Sequence, residues 1–258
     1  MALMGVSDFS EIRRIQNEIS RSLVGGSVPP CTDYYQRSKE PITTVTSVLG
    51  VKFNDGVMIA ADMLGSYGSL ARFRDCPRVL KVNDNILLGA GGDYADFQYL
   101  RDIIMQKVID DDCIDDGFQM KPKALYNWLT RVLYTRRTKL DPLWNNYVVG
   151  GIQDGKPFLG TIDKLGTAFE DDQIATGFGS YLATPLMREA IAKSKDKGGL
   201  TRKEAMDLIY ECLEILYYRD ARSWPKFQVG IITPKEVVIE GPHVIEGKWD
   251  MAALVHGY

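Results

Sequence analysis

Residues 46–62, TSVLGVKFNDGVMIAAD, decide the fold of this chain. Two hydrophobic runs flank Asn54-Asp55-Gly56, a combination that favours a tight hairpin turn between antiparallel strands. The second run, residues 57–61, is apolar at every position, which is typical of a strand buried on both faces. Asp62 follows this run directly. Because a buried carboxylate needs a partner, Asp62 is predicted to be paired.

Further strands are predicted where short apolar runs lie between turn residues. Asp154-Gly155 joins two of these runs, and this dipeptide is a strong hairpin signal. Residues 66–77 lack such a pattern and are expected to connect strands without regular structure. The predicted strands are residues 79–82, 86–90, 147–152, 158–162, 167–174, 227–232 and 237–239.

Helical periodicity fills the longer intervals between the strands. Asp93 is expected to cap a first helix, Pro122 falls near the first turn of a second, and Pro185 is expected in the first turn of a third, residues 180–193. A fourth helix begins with the capping box of residues 201–204, TRKE. Paired strands separated by paired helices predict an α+β fold, a four-layer αββα sandwich of two stacked antiparallel sheets with helices outside.

The chain is predicted to divide into three segments. Residues 1–45 carry an amphipathic helical pattern before glycine and proline residues, so they are interpreted as a pro-segment, with a disordered tail as the alternative. Residues 46–240 form one domain. Residues 241–258 form an apolar extension that docks on partners or, alternatively, folds back as a helix on its own domain. The residues predicted for this interface are Trp249, Met251, Leu254, Val255 and Tyr258.

Composition excludes several classes of protein. The 258 residues are 45% hydrophobic and 25% charged, with a formal net charge of −3, which is typical of a soluble globular protein. The chain lacks the basic excess that nucleic acid would attract. Its apolar runs are shorter than the roughly 20 residues that cross a bilayer, and its N-terminus lacks the order of a secretory signal. Nucleic acid, membranes and secretion are therefore not expected.

The cysteines and histidines also limit the kinds of site and the compartment that are expected. The four cysteines lie far apart without a CxxC pair, and the chain has only two histidines. A zinc site or a disulfide framework is not expected, and neither a metal nor a cofactor is predicted. Reduced cysteines fit a reducing compartment such as the cytoplasm or nucleus.

Several longer blocks of sequence resemble proteasome β subunits, and such blocks are more specific than a short motif. They read TSVLGVKF (46–53), AADMLGSYGSLARFR (60–74), GDYADFQYL (92–100), PLWN (142–145) and YYRDARS (217–223). The resemblance implies the N-terminal nucleophile hydrolase fold and a place in the 20S core, which degrades ubiquitinated proteins in cytoplasm and nucleus. It implies a β ring of seven subunits, stacked on a second β ring and capped by α rings. The implied partners are β subunits of the same and the opposite ring and α subunits, with assembly factors as further candidates.

The resemblance assigns a catalytic role to one threonine. In active members the nucleophile is the first residue of the mature chain, because its own α-amine accepts the hydroxyl proton. Thr46 holds that position, and Asp62 is the matching acid sixteen residues on. Active members free the threonine by cleaving after a glycine, whereas Val45 precedes it here. Since a β-branched residue resists the unusual backbone angles of that cut, self-cleavage before Thr46 is expected to be poor.

The other positions of the site are also altered. Active members carry a lysine sixteen residues beyond the acid, where this chain has Arg78, which keeps the charge but cannot release its proton. The helper serine of the family aligns with Phe178, in a Gly-Phe-Gly turn. Asp220 and Ser223 match the remaining pair, but the glycine that follows is replaced by Trp224.

These changes predict a non-catalytic, structural subunit, because groups that act as a unit lose activity together. Arg78 is then expected to form a structural ion pair with Asp62. An active neighbour would trim the pro-segment and leave a short stub over Thr46. Some members of the family thread a C-terminal extension between subunits of the opposite ring, which favours the docking role for residues 241–258. The trimming is expected near Arg37, Ser38 and Lys39.

Three alternatives compete with this prediction. The first is an active threonine endopeptidase subunit with Thr46 as nucleophile and Arg78 in place of the lysine. The second is a free-standing amidohydrolase of the same fold, acting as a small oligomer. The third is an adaptor that uses its amphipathic ends, which is disfavoured because those ends explain none of the internal blocks.

Overall fold

The computed structural model describes residues 40–195 and 198–250. This part of the chain forms antiparallel strands in two sheets, together with four helices. The strands are β1 (Thr43–Val45), β2 (Val48–Phe53), β3 (Gly56–Asp62), β4 (Gly65–Tyr67), β5 (Leu70–Phe73), β6 (Val79–Asn83), β7 (Ile86–Asp93), β8 (Asn145–Gln153), β9 (Lys156–Ile162), β10 (Ala168–Glu170), β11 (Gln173–Ala175), β12 (Lys226–Ile232) and β13 (Val237–Val244). The helices are α1 (Tyr94–Ile114), α2 (Pro122–Thr138), α3 (Gly179–Lys195) and α4 (Arg202–Arg219).

The two sheets differ in size. The larger has eight strands in the order β10-β9-β8-β7-β1-β4-β5, with β6 paired to β7. The smaller has five strands in the order β11-β2-β3-β12-β13. The hairpin of β2 and β3 closes through Phe53 and Gly56, as residues 46–62 predict, and β3 lies in the middle of the smaller sheet.

Alternate residues of each strand face opposite layers. In β7, Leu88 packs with α1 and α2, whereas its neighbour Leu87 packs between the two sheets. In the smaller sheet, Leu49 and Met58 pack against α3 and α4. The apolar layer between the sheets contains Val48, Val57, Ile59, Ala61, Val79, Leu87, Val148, Leu159, Ile174 and Ile232. The four-layer αββα sandwich predicted from the sequence is therefore confirmed.

Glycines on the facing strands let the two sheets approach closely. A Cβ atom at Gly89 would lie 2.7 Å from Val48 Cγ1 and 2.8 Å from Ile59 Cγ2. Gly150 makes an equally close approach to Val57 and Ile59. Since real Cβ atoms do not approach other atoms this closely, a larger residue at these positions requires the sheets to separate.

The helix ends agree with the sequence. Asp93 caps α1 by accepting a hydrogen bond from the Asp96 N–H at 3.0 Å, and Pro122 is the first residue of α2. Thr201 and Glu204 form the predicted capping box of α4. Such caps satisfy backbone N–H groups that the helix itself leaves unpaired.

Several predicted boundaries were wrong. Residues 66–77 contain β5 and part of β4, which are too short and too polar for a periodicity argument. The single strand predicted at 167–174 is two strands, β10 in the larger sheet and β11 in the smaller. The chain crosses between the sheets at Asp171 and Asp172, and hydrophobic pattern alone does not reveal which sheet a strand joins. Pro185 is the seventh residue of α3 and not in its first turn.

Strands extend beyond both ends of the predicted domain, residues 46–240. Thr43–Val45, placed before the predicted start at residue 46, forms β1 between β7 and β4. At the other end, β13 continues past residue 240 to Val244, and Ile245 is buried in the core on the α4 side. The predicted pro-segment before residue 40 lies outside the described residues.

We expect Gly89→Ala to lower the free energy of unfolding by about 1–3 kcal/mol, because the added methyl group overpacks the layer between the sheets. Urea denaturation of the purified chain measures this change. Val48→Ala removes the Val48 methyl group nearest the new Cβ, so the double variant should lose less stability than the two single variants together. Strictly additive losses would contradict the close contact between the sheets.

Candidate functional site

Thr46 lies in the two-residue link between β1 and β2 and is half-buried. Its Oγ1 donates a hydrogen bond to Oδ2 of Asp220 at 2.5 Å. Asp220 is the C-cap of α4, and its Oδ1 accepts from the Arg222 N–H at 3.0 Å. The chain segments that the sequence predicts for the site therefore meet in space, although they lie 174 residues apart.

Arg78 is the centre of this site. Its side chain is fully buried, and the guanidinium carries five N–H donors. Nε donates to the Asp62 carbonyl at 2.9 Å. Nη1 donates to the carbonyls of Thr46 at 2.7 Å and Ala90 at 3.1 Å. Nη2 donates to the Ser47 carbonyl at 3.0 Å and to the Asp62 carboxylate. All five donors are thus used, and the predicted ion pair with Asp62 is confirmed.

Asp62 is held on both carboxylate oxygens. Oδ1 pairs with Arg78, and Oδ2 accepts from the Trp224 N–H at 2.9 Å. Burial raises the pKa of the Asp62 carboxyl from its ordinary 3.8 to about 6, although the charge and hydrogen bond of Arg78 and the Trp224 N–H oppose this shift. Because that pKa lies below neutral pH, the carboxyl is ionised there and the pair with Arg78 is charged.

The remaining predicted positions do not converge on the Thr46 hydroxyl. Ser223 Oγ donates to the Leu216 carbonyl at 3.0 Å, so its hydroxyl satisfies the end of α4. The Phe178 side chain is 58% exposed. Its ring has no group that could orient a water molecule or an amine. Trp224 lies under the guanidinium of Arg74, 4.9 Å from the ring centre.

Ser47 has a role that the sequence argument missed. Its Oγ accepts from the Gly179 N–H at 2.9 Å, which joins the start of α3 to the β1–β2 link. Its carbonyl accepts from Arg78. A hydroxyl beside a predicted nucleophile was a signal for such a bond, but the partner 132 residues away was not visible in the pattern.

The strand that precedes Thr46 is built into the larger sheet. Thr44 pairs with Ser66 on one side and Asp93 on the other, and Val45 pairs with Gly92. The Ile42 N–H donates to Asp93 Oδ1 at 3.1 Å. β1 therefore fills the space between β4 and β7.

Gly92, which pairs with Val45, lies close to the chain just before β8. It has a positive φ of 98°, and a Cβ there would lie 2.0 Å from the Trp144 carbonyl oxygen. A side chain at this position would therefore meet both a strained backbone and a direct clash.

The polar groups around Thr46 are engaged with one another. In the chain described here the Thr46 nitrogen belongs to a peptide bond with Val45, so it cannot accept the hydroxyl proton. Arg78 keeps its protons, and its N–H donors are occupied by backbone carbonyls and Asp62. Asp220 accepts the hydrogen bond of the Thr46 hydroxyl, but it is a carboxylate and not the amine that an N-terminal nucleophile uses. The geometry supports a structural junction between four segments of chain.

The first described residues of the C-terminal extension fold back on the domain. Trp249 Nε1 donates to Tyr217 Oη at 3.2 Å, and the Lys248 N–H donates to Tyr218 Oη at 2.7 Å. The Trp249 ring packs on both tyrosines, yet its side chain is 53% exposed. The other predicted interface residues, Met251, Leu254, Val255 and Tyr258, lie outside the described residues, as do Arg37, Ser38 and Lys39.

Within residues 40–195 and 198–250, no group of three or more His, Cys, Asp or Glu side chains could hold a metal ion. Among the helices of this part of the chain, none combines the length and apolar character needed to cross a membrane.

Two stacked antiparallel sheets between helix pairs, with a threonine at the head of β2, define the N-terminal nucleophile hydrolase fold. Residues 42–232 match the family model described as Proteasome subunit, and the chain belongs to this family. Membership implies assembly with other proteasome subunits.

The curated relatives are β subunits of the proteasome. Proteasome subunit beta type-4 of Xenopus laevis is 54% identical over 84% of this chain and 89% of its own length. The Drosophila melanogaster subunit beta type-4 is 48% identical, over 84% and 80% of the two chains. Proteasome subunit beta type-7 of Saccharomyces cerevisiae is 37% identical over 86% of each.

We expect Arg78→Lys to lower the free energy of unfolding by about 2–5 kcal/mol, because an ammonium has three donors and leaves at least two buried acceptors unpaired. Chemical denaturation of the purified chain measures the loss. Arg136→Lys is the matched control, since Arg136 pairs with Asp141 at 2.7 Å on a partly exposed surface, and it should cost less than about 1 kcal/mol. Equal losses in the two variants would contradict the structural role of Arg78.

We expect the stability difference between the natural chain and Asp62→Asn to shrink as pH rises from about 4 to 7. The folded-state pKa of Asp62 is raised, so its contribution is present below about pH 4 and is lost as pH rises through about 6. A shift of this size corresponds to about 3 kcal/mol. Urea denaturation at a series of pH values measures it.

Asp154→Asn is the control, because its effect on stability should change with pH in the opposite direction. The Lys121 ammonium lowers the pKa of the exposed Asp154 carboxyl, so its contribution is present at neutral pH and is lost as pH falls. If the stability difference between the natural chain and Asp62→Asn grew with pH, the attraction of Arg78 for the Asp62 carboxylate would outweigh the effect of burial on its pKa. That result would contradict this prediction.

Proposed function

We propose that this chain is a non-catalytic structural β subunit of the 20S proteasome core, the particle that degrades ubiquitinated proteins in cytoplasm and nucleus. The observation that carries the proposal is the saturation of Arg78 by four backbone carbonyls and the Asp62 carboxylate. A guanidinium bound in this way neither accepts a proton nor moves to assist one. The Arg78 cation beside Thr46 therefore stabilises the fold and does not take part in catalysis.

The β1 strand supports the same proposal. A free α-amine at Thr46 would require a cut after Val45, yet Val45 is buried at 8% exposure and paired with Gly92. A protease would have to detach β1 from both neighbouring strands before reaching that bond. Trimming by an active neighbour near Arg37, Ser38 and Lys39 leaves β1 in place over Thr46.

The proposed partners are those of a closed ring. A subunit in a heterologous ring meets one neighbour with one surface and the next neighbour with a different surface. This subunit therefore contacts two β subunits of its own ring, β subunits of the opposite ring, and the α ring. Assembly factors are further candidate partners.

The C-terminal extension is proposed to reach the opposite ring. Trp249 stays half exposed after packing on Tyr217 and Tyr218, so the extension has an anchor on its own domain and an apolar surface left for a partner. The sequence that follows, residues 251–258, contains the further apolar residues Met251, Leu254, Val255 and Tyr258.

One observation favours an active subunit as the second candidate. Thr46 Oγ1 lies 2.5 Å from Asp220, which keeps a carboxylate on the hydroxyl. The carboxylate is nevertheless not the free α-amine that an N-terminal threonine uses, because the Thr46 nitrogen is held in the peptide bond with Val45.

Mass spectrometry of the native particle tests the proposal directly. We expect the mature chain to begin near Arg37 to Lys39, upstream of Thr46, and a threonine-directed electrophile to leave Thr46 unmodified, because Thr46 then has no free α-amine to accept the hydroxyl proton. Labelled threonines on other subunits of the same particle are the internal control. A mature chain that starts at Thr46 and carries the adduct would establish the active subunit instead.

A further inference from the structure

The chain enters the folded domain over residues 40–45. Glu40, Pro41 and Ile42 are exposed. Val45, by contrast, is buried in β1. A protease binds its substrate as an extended strand, so it needs backbone donors and acceptors that the fold has not already used. How far a trimming protease can advance therefore depends on where along this segment the backbone becomes engaged.

Pro41 is the first obstacle that a protease meets. Proline has no backbone N–H and its ring fixes φ near about −65°, so a protease cannot form the usual strand pairing across it. The peptide nitrogen between Glu40 and Pro41 also belongs to a tertiary amide, which fits poorly in sites built for secondary amides. Pro41 by itself does not protect the bonds that follow it.

Asp93, the last residue of β7, holds the next residue of the entering chain. Its Oδ1 accepts a hydrogen bond from the Ile42 N–H at 3.1 Å. Its Oδ2 accepts from the Asp96 N–H at 3.0 Å and so caps α1. Hydrogen bonds from N–H groups to a carboxylate are stronger than those between neutral groups, and Asp93 is buried. One side chain thus joins the entry of the chain to the start of a helix.

The backbone of Asp93 is itself fixed. Its N–H donates to the Trp144 carbonyl at 2.8 Å, and its carbonyl accepts from Asn145 Nδ2 at 2.8 Å. Because the carboxylate is held in this way, it cannot follow Ile42 outwards into the site of a protease. The hydrogen bond to Ile42 must break before the chain can leave the sheet.

β1 continues this protection toward Thr46. Thr44 pairs with Ser66 in β4 and with Asp93 in β7. Its Oγ1 accepts a hydrogen bond from Arg222 Nη1 at 3.3 Å. A protease that cuts here must first separate β1 from both neighbours, and the rate of such a cut follows the small population in which the segment is open.

We propose that Pro41 and the hydrogen bond between Ile42 and Asp93 form a built-in stop that ends proteolytic trimming of this chain at or before Glu40. This inference rests on the proposed function, in which a separate protease removes the pro-segment. Each cut is a hydrolysis, in which one water adds across a peptide bond and leaves a carboxylate on the released peptide and an amine on the chain. Since the fold sets the limit, proteases of different specificity converge on it.

Limited proteolysis of the purified full chain tests the stop. Subtilisin cuts broadly, and thermolysin cuts before large apolar residues such as Ile42 and Val45. The folded product is isolated by size exclusion, and mass spectrometry identifies its first residue. We expect both proteases to leave a product that begins no later than Glu40. The same chain unfolded in urea should be cut by thermolysin before Ile42 and Val45, which shows that the sequence itself permits these cuts.

Asp93→Ser separates the two roles of the Asp93 side chain. A serine hydroxyl still caps α1, but its single oxygen cannot also hold Ile42. We expect this variant to be cut beyond Pro41 at least about tenfold faster than the natural chain, because the lost hydrogen bond involves a charged group. Pro41→Ala, at an exposed position, should be cut one bond later than the natural chain but no further, since Ile42 stays bound to Asp93.

Thr201→Ala is the matched control. It removes the N-cap of α4, at the end of that helix away from Asp220, and should leave the limit unchanged. A natural chain trimmed past Ile42, or an Asp93→Ser or Pro41→Ala variant that keeps the natural limit, would overturn the inference and leave the proposed function intact. So would an equal shift in Thr201→Ala and Asp93→Ser. A natural chain that cuts itself before Thr46 without added protease would overturn the proposed function as well.

Discussion

The buried guanidinium of Arg78 is the interaction on which the rest of the site depends. A cation in a dry interior is stable only when each donor has a partner, because the lost hydration is otherwise not replaced. Arg78 finds these partners on the β1–β2 link, at the end of β3 and on β7. Those segments must converge for the charge to be buried at all. The position of Thr46 is therefore a consequence of satisfying Arg78.

The same requirement explains why arginine, and not lysine, suits position 78. A lysine at this position would have three donors and a more compact charge, and the carbonyls of Thr46, Ser47 and Ala90 could not all be reached at once. Water would then have to serve the acceptors that remain. With arginine the protein supplies the partners itself, and β1 covers the strand ends that flank Thr46. The half-buried hydroxyl of Thr46 is in turn held by Asp220.

Much of the fold followed from local physics, and the failures have identifiable causes. The β2–β3 hairpin and the capped helices were predictable, because each depends on residue type and short spacing. That Asp62 needs a partner also followed from its residue type, whereas the choice of Arg78 came from the resemblance to proteasome β subunits. β1, β4 and β5 were missed, because strands of three or four half-polar residues carry no period and are fixed by their neighbours. The β10–β11 crossing was missed because alternation identifies a strand but not its sheet. Ser47 was marked only by its position beside Thr46, and its partner Gly179 depends on tertiary packing that the sequence pattern does not reveal.

The structure also separates what catalysis needs from what assembly needs. A working nucleophile requires an amine and a hydroxyl that stay accessible and incompletely satisfied, and such groups commonly reduce stability. Closing a ring of subunits requires only that the outer surfaces of each subunit fit its neighbours and that a rigid core supports those surfaces. The groups around Thr46 are satisfied by one another, whereas the side chain of Trp249 stays half exposed at the surface. Under the proposed function, a neighbouring subunit and not a substrate completes such surface groups.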